Sequence, residues 1–362
     1  MPTKSIFLFF LLAIGMLACE DVAISEERLL EQRKLQLTNT LQAGILPAHQ
    51  SFLSAAESLH QLSQTFRTTP TEDHLIAFRK QWKEAASSWK RCEFYDLGEI
   101  SDSFIHFRIY RRPTNIEQLE ETISNGELID LDYVESQGSA VIGLAAIEYL
   151  LFEAVTDTSL QSFQADTKRA DYLLALTAYL LDQAQALQES WGDYGPTFTN
   201  SLQSSIDGGQ NLLVNAIVSA LEETNKDAIG KPLGEASGGI AKLELLEAHR
   251  SSSSMSLIKA TFREVKASFR GDYPNSESNY GFDDYLVALK NKELLDKIDT
   301  AIDKCEATLA ELGGPDLKST LATKPEAVAQ LQLDFTALLL LVKIDMASFI
   351  GAIIVPNESD GD

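Results

Sequence analysis

The chain has 362 residues, of which 44% are hydrophobic and 23% are charged, and its formal net charge at pH 7 is −23. This length allows one large domain or two smaller ones, each with a buried core. The composition excludes a disordered tail and a polytopic membrane protein. The acidic balance argues against nucleic acid or a bare anionic lipid surface as a partner, because both are bound mainly through Lys and Arg.

The first residues predict an address signal rather than part of the fold. Lys4 precedes an apolar run over residues 6–18, which is too short to span a bilayer as a helix, and Cys19 follows it. The four residues ending at Cys19 resemble a bacterial lipoprotein signal, although Met16 stands where leucine is usual. An ordinary secretory signal is the alternative. We therefore expect a signal peptide over 1–18, lipid attachment at Cys19 and a short acidic tether over 19–34.

From about residue 26, apolar residues recur at spacings of three and four, which predicts helices along the first half of the chain. Pro47 is expected to separate the first two helices. A third begins near Thr69-Pro70-Thr71-Glu72, which combines a capping threonine, a proline in the first turn and a glutamate. The stretch 93–135 is irregular, and helices follow at about 139–154 and 167–190.

The second half shows the same helical spacing after a predicted break at 192–196. The sequence shows no sustained alternation of the kind that is typical of strands. It therefore predicts an all-α protein of two helical bundles packed side by side, over 35–194 and 195–356, with an acidic tail over 357–362. Further helices are expected at about 197–224, 242–270, 281–289, 291–312 and 325–352.

Two cysteines, Cys92 and Cys305, stay in the chain once the signal peptide is removed. In an oxidising envelope they can form one disulfide that closes a long loop, or they can stay as two buried thiols. Both alternatives stay open, because the sequence does not show how close the two Cα atoms lie. The sequence has no CxxC or CxxCH motif, which argues against a zinc ribbon, a thioredoxin-like site and a covalent c-type haem.

One helical segment is apolar on all sides except at a single residue. Eleven of the twelve residues over 141–152 are apolar, Gly or Tyr, and Glu148 is the exception. A helix of this kind is buried, and a buried carboxylate must be paired, protonated or bound to a metal. Glu148 is therefore a site candidate on physical grounds, and the alternative is a purely structural ion pair. Its candidate partners are Arg108, Arg111 and Arg112.

The same segment carries a resemblance to a known family. Residues 143–152 resemble the signature of the imelysin-like family, a GxHxxE motif followed by an aromatic residue and two leucines. Gly143 and Glu148 match this motif, whereas Ala145 stands where the family has histidine. Further matches follow in chain order and extend the resemblance over about residues 35–362: Trp82 with Trp89, 94–98, 231–234, 247–254, 281–286 and 349–362.

The resemblance implies an all-α fold of two bundles, a site in the groove between them, and an envelope protein linked to iron uptake. In the family motif, His and Glu at i and i+3 lie on one helical face, which is the spacing at which two side chains bind one metal ion. Alanine neither binds a metal nor transfers a proton, so Ala145 leaves Glu148 alone. This argues against the peptidase activity for which the family is named, while a site built from oxygens stays open.

The sequence thus predicts a lipid-anchored, non-enzymatic binding component associated with iron or metal uptake, with an altered or lost metal site and no catalytic residue. The expected ligand is iron, another divalent metal or a small molecule, and another envelope uptake protein is a candidate partner. The expected location is the outer membrane of a Gram-negative bacterium, on its periplasmic or surface face. A metallopeptidase of the imelysin type and a structural, partner-recruiting lipoprotein are the alternatives. Glu148 is the candidate metal ligand, and the candidates for the groove are Gly143, Glu148, Glu247, His249 and Arg108.

Overall fold

The computed structural model describes residues 25–152, 158–274, 276–314 and 316–356. All regular structure in these residues is helical and no strand occurs among them, which confirms the predicted all-α class. No helix within these ranges is long and apolar enough to cross a membrane. Three predictions lie outside the described residues: the signal peptide over 1–18, lipid attachment at Cys19 and the acidic tail over 357–362. The tether predicted over 19–34 is wrong from Glu26 onward, because these residues begin a helix that runs to Asn39.

The first half of the chain forms a bundle in which α2 packs against α3 and α9, and α7 packs against the same two helices. Trp82 and Trp89 of α3 are buried in its core, and Trp82 Nε1 donates a hydrogen bond to the Leu144 carbonyl at 2.9 Å, which fixes α7 on α3. The helices of this half are α1 (Glu26–Asn39), α2 (Leu46–Thr68), α3 (Glu72–Glu93), α4 (Ile105–Tyr110), α5 (Ile116–Asn125), α6 (Leu131–Glu135), α7 (Gly143–Leu151), α8 (Ser159–Ala165) and α9 (Thr167–Asn200).

The second half forms a bundle in which α14 packs against α16, and α10 packs against α12 and α16. Its helices are α10 (Gly209–Glu223), α11 (Lys231–Leu233), α12 (Ser254–Arg270), α13 (Phe282–Ala288), α14 (Lys292–Leu312), α15 (Leu317–Thr323), α16 (Pro325–Leu340) and α17 (Ala347–Ile350). Three π-helical turns, Thr40–Ile45, Thr224–Gly230 and Leu341–Met346, continue α1, α10 and α16 without a break. The chain therefore stays helical through Pro47, because the first π-helical turn leads directly into α2, and the predicted separation there is wrong.

The two bundles meet where α12 crosses α3. Glu264 of α12 is buried at this crossing and accepts hydrogen bonds from Arg91 Nε of α3 and from the Tyr95 hydroxyl. The N-terminal helix also joins the halves, since Asn39 Nδ2 donates to the Gly271 carbonyl at 2.9 Å. Buried polar groups at the crossing are thus paired across it, which fixes how one bundle sits on the other.

The predicted break at 192–196 is wrong, because α9 runs without interruption from Thr167 to Asn200 and contains Pro196. A proline inside a helix costs about 3 kcal/mol. Trp191 and Phe198 flank it, both are buried, and their ring centroids lie 5.7 Å apart. Burial of two such side chains contributes about 3–6 kcal/mol, so tertiary packing outweighs the local penalty. The predicted boundary between 194 and 195 consequently falls inside one helix.

Two other predicted helices are shorter than expected. The helix expected over 242–270 begins only at Ser254, because Ala248 and Ser252 adopt left-handed backbone angles with φ of 52° and 56°. A loop over 201–208 precedes α10, so the helix expected over 197–224 begins at Gly209. Cys92 and Cys305 are both free, buried thiols, so the structure contains no disulfide between them.

We expect Gly143→Ala to destabilise the fold by about 1–3 kcal/mol. Gly143 has a φ of +72°, and a Cβ there would lie 2.3 Å from the Ile109 carbonyl oxygen, so alanine is both strained and obstructed. Gly192→Ala is the matched control, because a Cβ at Gly192 meets no atom and alanine favours the helix by about 0.5–1 kcal/mol. Urea denaturation measures both variants. Equal stability of the natural chain and Gly143→Ala would contradict the close approach of α7 to residue 109.

Candidate functional site

Glu148 lies in the middle of α7, and its residue is only 6% exposed, as the sequence predicts. Its Oε1 accepts a hydrogen bond from the Ser251 backbone N–H at 2.8 Å. Burial raises the pKa of Glu148 above its ordinary value, although the bonds from Ser251 and the charge of Arg250 act in the opposite direction. The carboxyl group is thus held as a structural acceptor at the contact between the two halves.

The expected arginine partners of Glu148 bind elsewhere, so this prediction is wrong. Arg108 donates to the Tyr179 hydroxyl and to the Glu135 carbonyl, and Arg111 donates to the Ser139 hydroxyl. Arg112 pairs with Glu247. A backbone N–H takes the place of an arginine because the turn after residue 246 comes down onto α7.

This turn, residues 246–253, carries the serine run of the sequence. The Ser251 hydroxyl donates to the Ala248 carbonyl at 3.1 Å and lies 3.0 Å from the Ser253 hydroxyl. The serine run is therefore a polar turn with internal hydrogen bonds, and Glu148 holds it on α7 by accepting from the Ser251 N–H. Because Glu247 belongs to the same turn, Glu148 indirectly sets the position of the Glu247 carboxylate.

Glu247 is buried and forms ion pairs with two cations of the first half. Its Oε2 lies 2.8 Å from Arg112 Nη1, and its Oε1 lies 3.5 Å from Lys90 Nζ. Lys90 also donates to Glu93 one turn further along α3. Burial alone would lower the pKa of Lys90, but the charges of Glu247 and Glu93 outweigh it and raise that pKa. Arg112, Glu247, Lys90 and Glu93 thus form a continuous row of ion pairs across the contact between the halves.

A cleft of about 420 Å³ opens beside this row of ion pairs. Its walls come from the end of α3, the segment over 94–112, α10 with its π-helical turn, the turn at Glu247, α12 and residues 355–356. A volume of this size is typical of pockets for small organic ligands. The charged and titratable groups that line it include Lys90, Glu93, His106, Arg112, Glu223 and Glu247.

Glu223, at the end of α10, faces this cleft from the second half. The Glu223 residue is exposed at the cleft, but desolvation by the surrounding walls and the charge of Glu93 raise the pKa of Glu223 to about 7, against the opposing effect of Lys90 and Arg112. On the other wall, His106 Nδ1 lies 2.8 Å from Asp96 Oδ2. Burial lowers the pKa of His106, but the bond and charge of Asp96 outweigh it and raise that pKa above its ordinary value. The cleft therefore contains a carboxyl group and an imidazole whose pKa values both lie above their ordinary values.

The structure brings some of the predicted residues together and separates others. Glu247 lines the cleft, whereas Glu148 lies behind it, under the turn that carries Glu247. His249 is half-buried outside the cleft, and burial together with Arg250 and Lys318 lowers its pKa. Gly143 and Arg108 meet at the start of α7, where the glycine passes the Arg108 carbonyl.

Sequence reasoning missed Lys90, Glu93 and Glu223, which supply much of the charge in the cleft. Lys90 and Glu93 are spaced as a pair on one helical face, which in a single sequence is typical of a solvated surface. The signal that could have found them is the run of buried tryptophans on the same helix, since Trp89 immediately precedes Lys90.

The residues at Glu148 do not fit the metal site that the resemblance implies. The carboxylate oxygen Oε1 is already bonded to a backbone N–H, and position 145 offers only a methyl group. Among the described residues, no group of three or more His, Cys, Asp or Glu side chains is arranged to hold a metal ion. Glu148 as a metal ligand stays a prediction, and the contact that the structure shows for its carboxylate is the bond that positions the turn.

We expect Glu148→Gln to change how stability depends on pH. Glutamine keeps the acceptor for the Ser251 N–H but cannot ionise. Because the pKa of Glu148 is raised in the folded protein, the natural chain loses stability as pH rises from the ordinary value of 4.5 through the folded pKa. Denaturation at several pH values should therefore show that the free energy of unfolding of the variant rises relative to that of the natural chain over that range.

Glu148→Ala is the contrasting variant, because it leaves the Ser251 N–H buried without an acceptor. We expect it to be less stable than Glu148→Gln by about 1–3 kcal/mol at every pH, because neither variant ionises at this position. A difference between Glu148→Gln and the natural chain that stays constant with pH would contradict the raised pKa.

Comparisons with known proteins bear on the fold. An imelysin-like protein from Psychrobacter arcticum 273-4 superimposes with a TM-score of 0.76 at 19% identity, over 92% of this chain and 98% of that one. A putative iron-regulated protein A precursor from Parabacteroides distasonis ATCC 8503 also gives 0.76, at 16% identity, over 91% and 97%. A search of curated proteins finds no match. The model of the family described as Imelysin matches residues 45–341, and the chain therefore belongs to the imelysin family.

Proposed function

We propose that this protein is a non-enzymatic binding component of the cell envelope, and that its ligand occupies the cleft between the two bundles. The observation that carries the proposal is the cleft itself, about 420 Å³ in volume and lined from both halves by charged side chains. Small-molecule sites are usually spaces of this kind, which are partly apolar and lined by a few convergent polar groups.

The contacts around the cleft support binding rather than chemistry at Glu148. Glu247, Arg112 and Lys90 are held by one another, so the polar wall is arranged before a ligand arrives. Because these side chains are already ordered, less conformational entropy is lost when a ligand binds. Glu148 does not line this wall, and its Oε1 is bonded to Ser251, so we assign it no hydrolytic role.

The association with iron or metal acquisition belongs to the same proposal. It is supported by the family resemblance of the sequence and by a structural neighbour whose name describes that protein as iron-regulated. The poor fit of Glu148 to a metal centre favours a ligand larger than a bare ion. A metal would then reach the cleft as part of a chelate.

We further propose that Cys19 carries a lipid and holds the protein at the outer membrane of a Gram-negative cell, on the periplasmic or the surface face. The support is the sequence pattern before Cys19, in which a short apolar run ends at a cysteine. Another envelope uptake protein is the proposed partner that would deliver or receive the ligand.

We expect a cleft-filling variant, Ala216→Phe, to abolish ligand binding. Ala216 lies on α10 and lines the cleft, so a phenyl ring there would occupy ligand space. Calorimetry with a panel of small amines, small carboxylates and ferric chelates should find a ligand of the natural chain, and the variant should bind it at least about tenfold more weakly. Ala186→Phe, at an exposed position of α9, is the matched control and should bind normally.

The Glu148→Gln variant separates the two candidate locations. It keeps the hydrogen bond that holds the turn, so cleft binding should survive it. Binding lost in Glu148→Gln but kept in Ala216→Phe would place the ligand at the motif and overturn the proposal. Cleavage of a peptide panel by the natural chain, stopped by a chelator, would favour the metallopeptidase instead.

A further inference from the structure

We propose that the cleft binds an organic cation: a small molecule with a primary ammonium group, held between the carboxylates of Glu223 and Glu247 and beside the aromatic side chains of Phe94 and His106. This inference rests on the proposed function, because it names the chemical class of ligand that the cleft would take.

The charge of the cleft walls is the first argument. Two permanent cations, Lys90 and Arg112, line the cleft, whereas the carboxylates that line it number five. A concave wall with an excess of one charge concentrates ligands of the opposite charge. The five carboxylates are Glu93, Asp96, Glu223, Asp227 and Glu247.

An incompletely satisfied acceptor is the second argument. The Glu247 side chain is only 5% exposed, and its Oε1 accepts no hydrogen bond from any residue that the structure describes, with Lys90 Nζ 3.5 Å away. A buried carboxylate oxygen left without a donor is unfavourable. An ammonium group brings three N–H donors and would supply the missing bond.

Glu223 gives the third argument. Within the described part of the chain, Asp96 pairs with His106 and Asp227 pairs with Lys231, but no ion pair includes Glu223. Glu223 is exposed at the cleft and therefore open to a ligand, and the cleft walls and the neighbouring carboxylates raise its pKa to about 7. A bound cation would stabilise the ionised form of Glu223, so proton binding and cation binding compete at this group.

The aromatic rings next to the cleft give the fourth argument. Phe94 and His106 line the cleft, and the ring of Phe107 packs on that of His106 at 4.1 Å without lining the cleft itself. Aromatic faces attract cations, and their apolar surface suits the carbon skeleton of an amine.

The size of the cleft favours an organic cation over a bare metal ion. About 420 Å³ is far more than one ion fills, and the positive charges of Lys90 and Arg112 stand close to the same carboxylates. An extended molecule can place its ammonium group at Glu223 and Glu247 and keep the rest of its length away from these cations.

The pH dependence follows from all the charged groups that face Glu223. Raising the pH ionises Glu223 and removes the proton from His106, and both changes favour a cationic ligand. The facing groups are Lys90 and Glu93 of α3, Asp96, His106 and Arg112 of the segment after α3, Asp227 of the π-helical turn, and Glu247.

The test is calorimetry of the full chain in mild detergent with 1,4-diaminobutane at pH 6 and pH 8. We expect one-to-one binding that is about tenfold tighter at pH 8, since Glu223 changes from mostly protonated to mostly ionised between these values. Glu223→Gln should bind more weakly at pH 8 and lose most of the pH dependence. Glu293→Gln, an exposed position on α14, is the matched control and should leave both unchanged.

Succinate, which has the same chain length and the opposite charge, separates this inference from the proposed function. Succinate binding that Ala216→Phe abolishes, without binding of the diamine, would overturn the cationic ligand and leave the cleft as the binding site. Diamine binding that persists in Ala216→Phe would overturn the inference and count against the cleft. Displacement of the diamine by equimolar magnesium would show a metal site instead and overturn the inference as well.

Discussion

Ion pairing at the C-terminal end of α3 is the constraint on which the relation of the two halves depends. Lys90 and Arg91 are adjacent, and each reaches a buried carboxylate of the second half, Glu247 and Glu264. Removing one partner of a buried pair costs about 3–5 kcal/mol, because the other charge is left without compensation. The two bundles therefore cannot slide or separate without exposing or orphaning these charges. The cleft is the space left next to this fixed contact.

The motif glutamate and the cleft are parts of one arrangement. Glu148 holds the turn over 246–253 through the Ser251 N–H. This turn places Glu247 against Arg112 and Lys90. Gly143 serves the same arrangement, because its left-handed backbone lets α7 begin against the carbonyl of residue 109. In this chain the motif acts through position and hydrogen bonding, and the chemistry that faces a ligand lies one turn away.

Much of this fold could be predicted from the sequence, because helical periodicity and the single polar residue of a buried helix are local signals. The burial of Glu148 followed directly from its apolar neighbours. The uninterrupted α9 could not be predicted, because the burial of Trp191 and Phe198 by distant helices overrides the local effect of Pro196. Glu223 could not be predicted either, because in the sequence it is an ordinary polar position of an amphipathic helix. Only the fold places the end of α3 across the cleft from it.

The cleft is a preformed, charged site in which Glu223 forms no ion pair with any described residue. The most direct measurement is the pKa of Glu223 itself, from a carbon-detected NMR titration of the side-chain carboxyl, with Glu223→Gln to assign the signal. The account predicts a value of about 7, produced by the cleft walls and by Glu93. A value near the ordinary 4.5 would show that the cleft walls and Glu93 do not outweigh Lys90 and Arg112 at this carboxyl group, and would contradict the cleft as described.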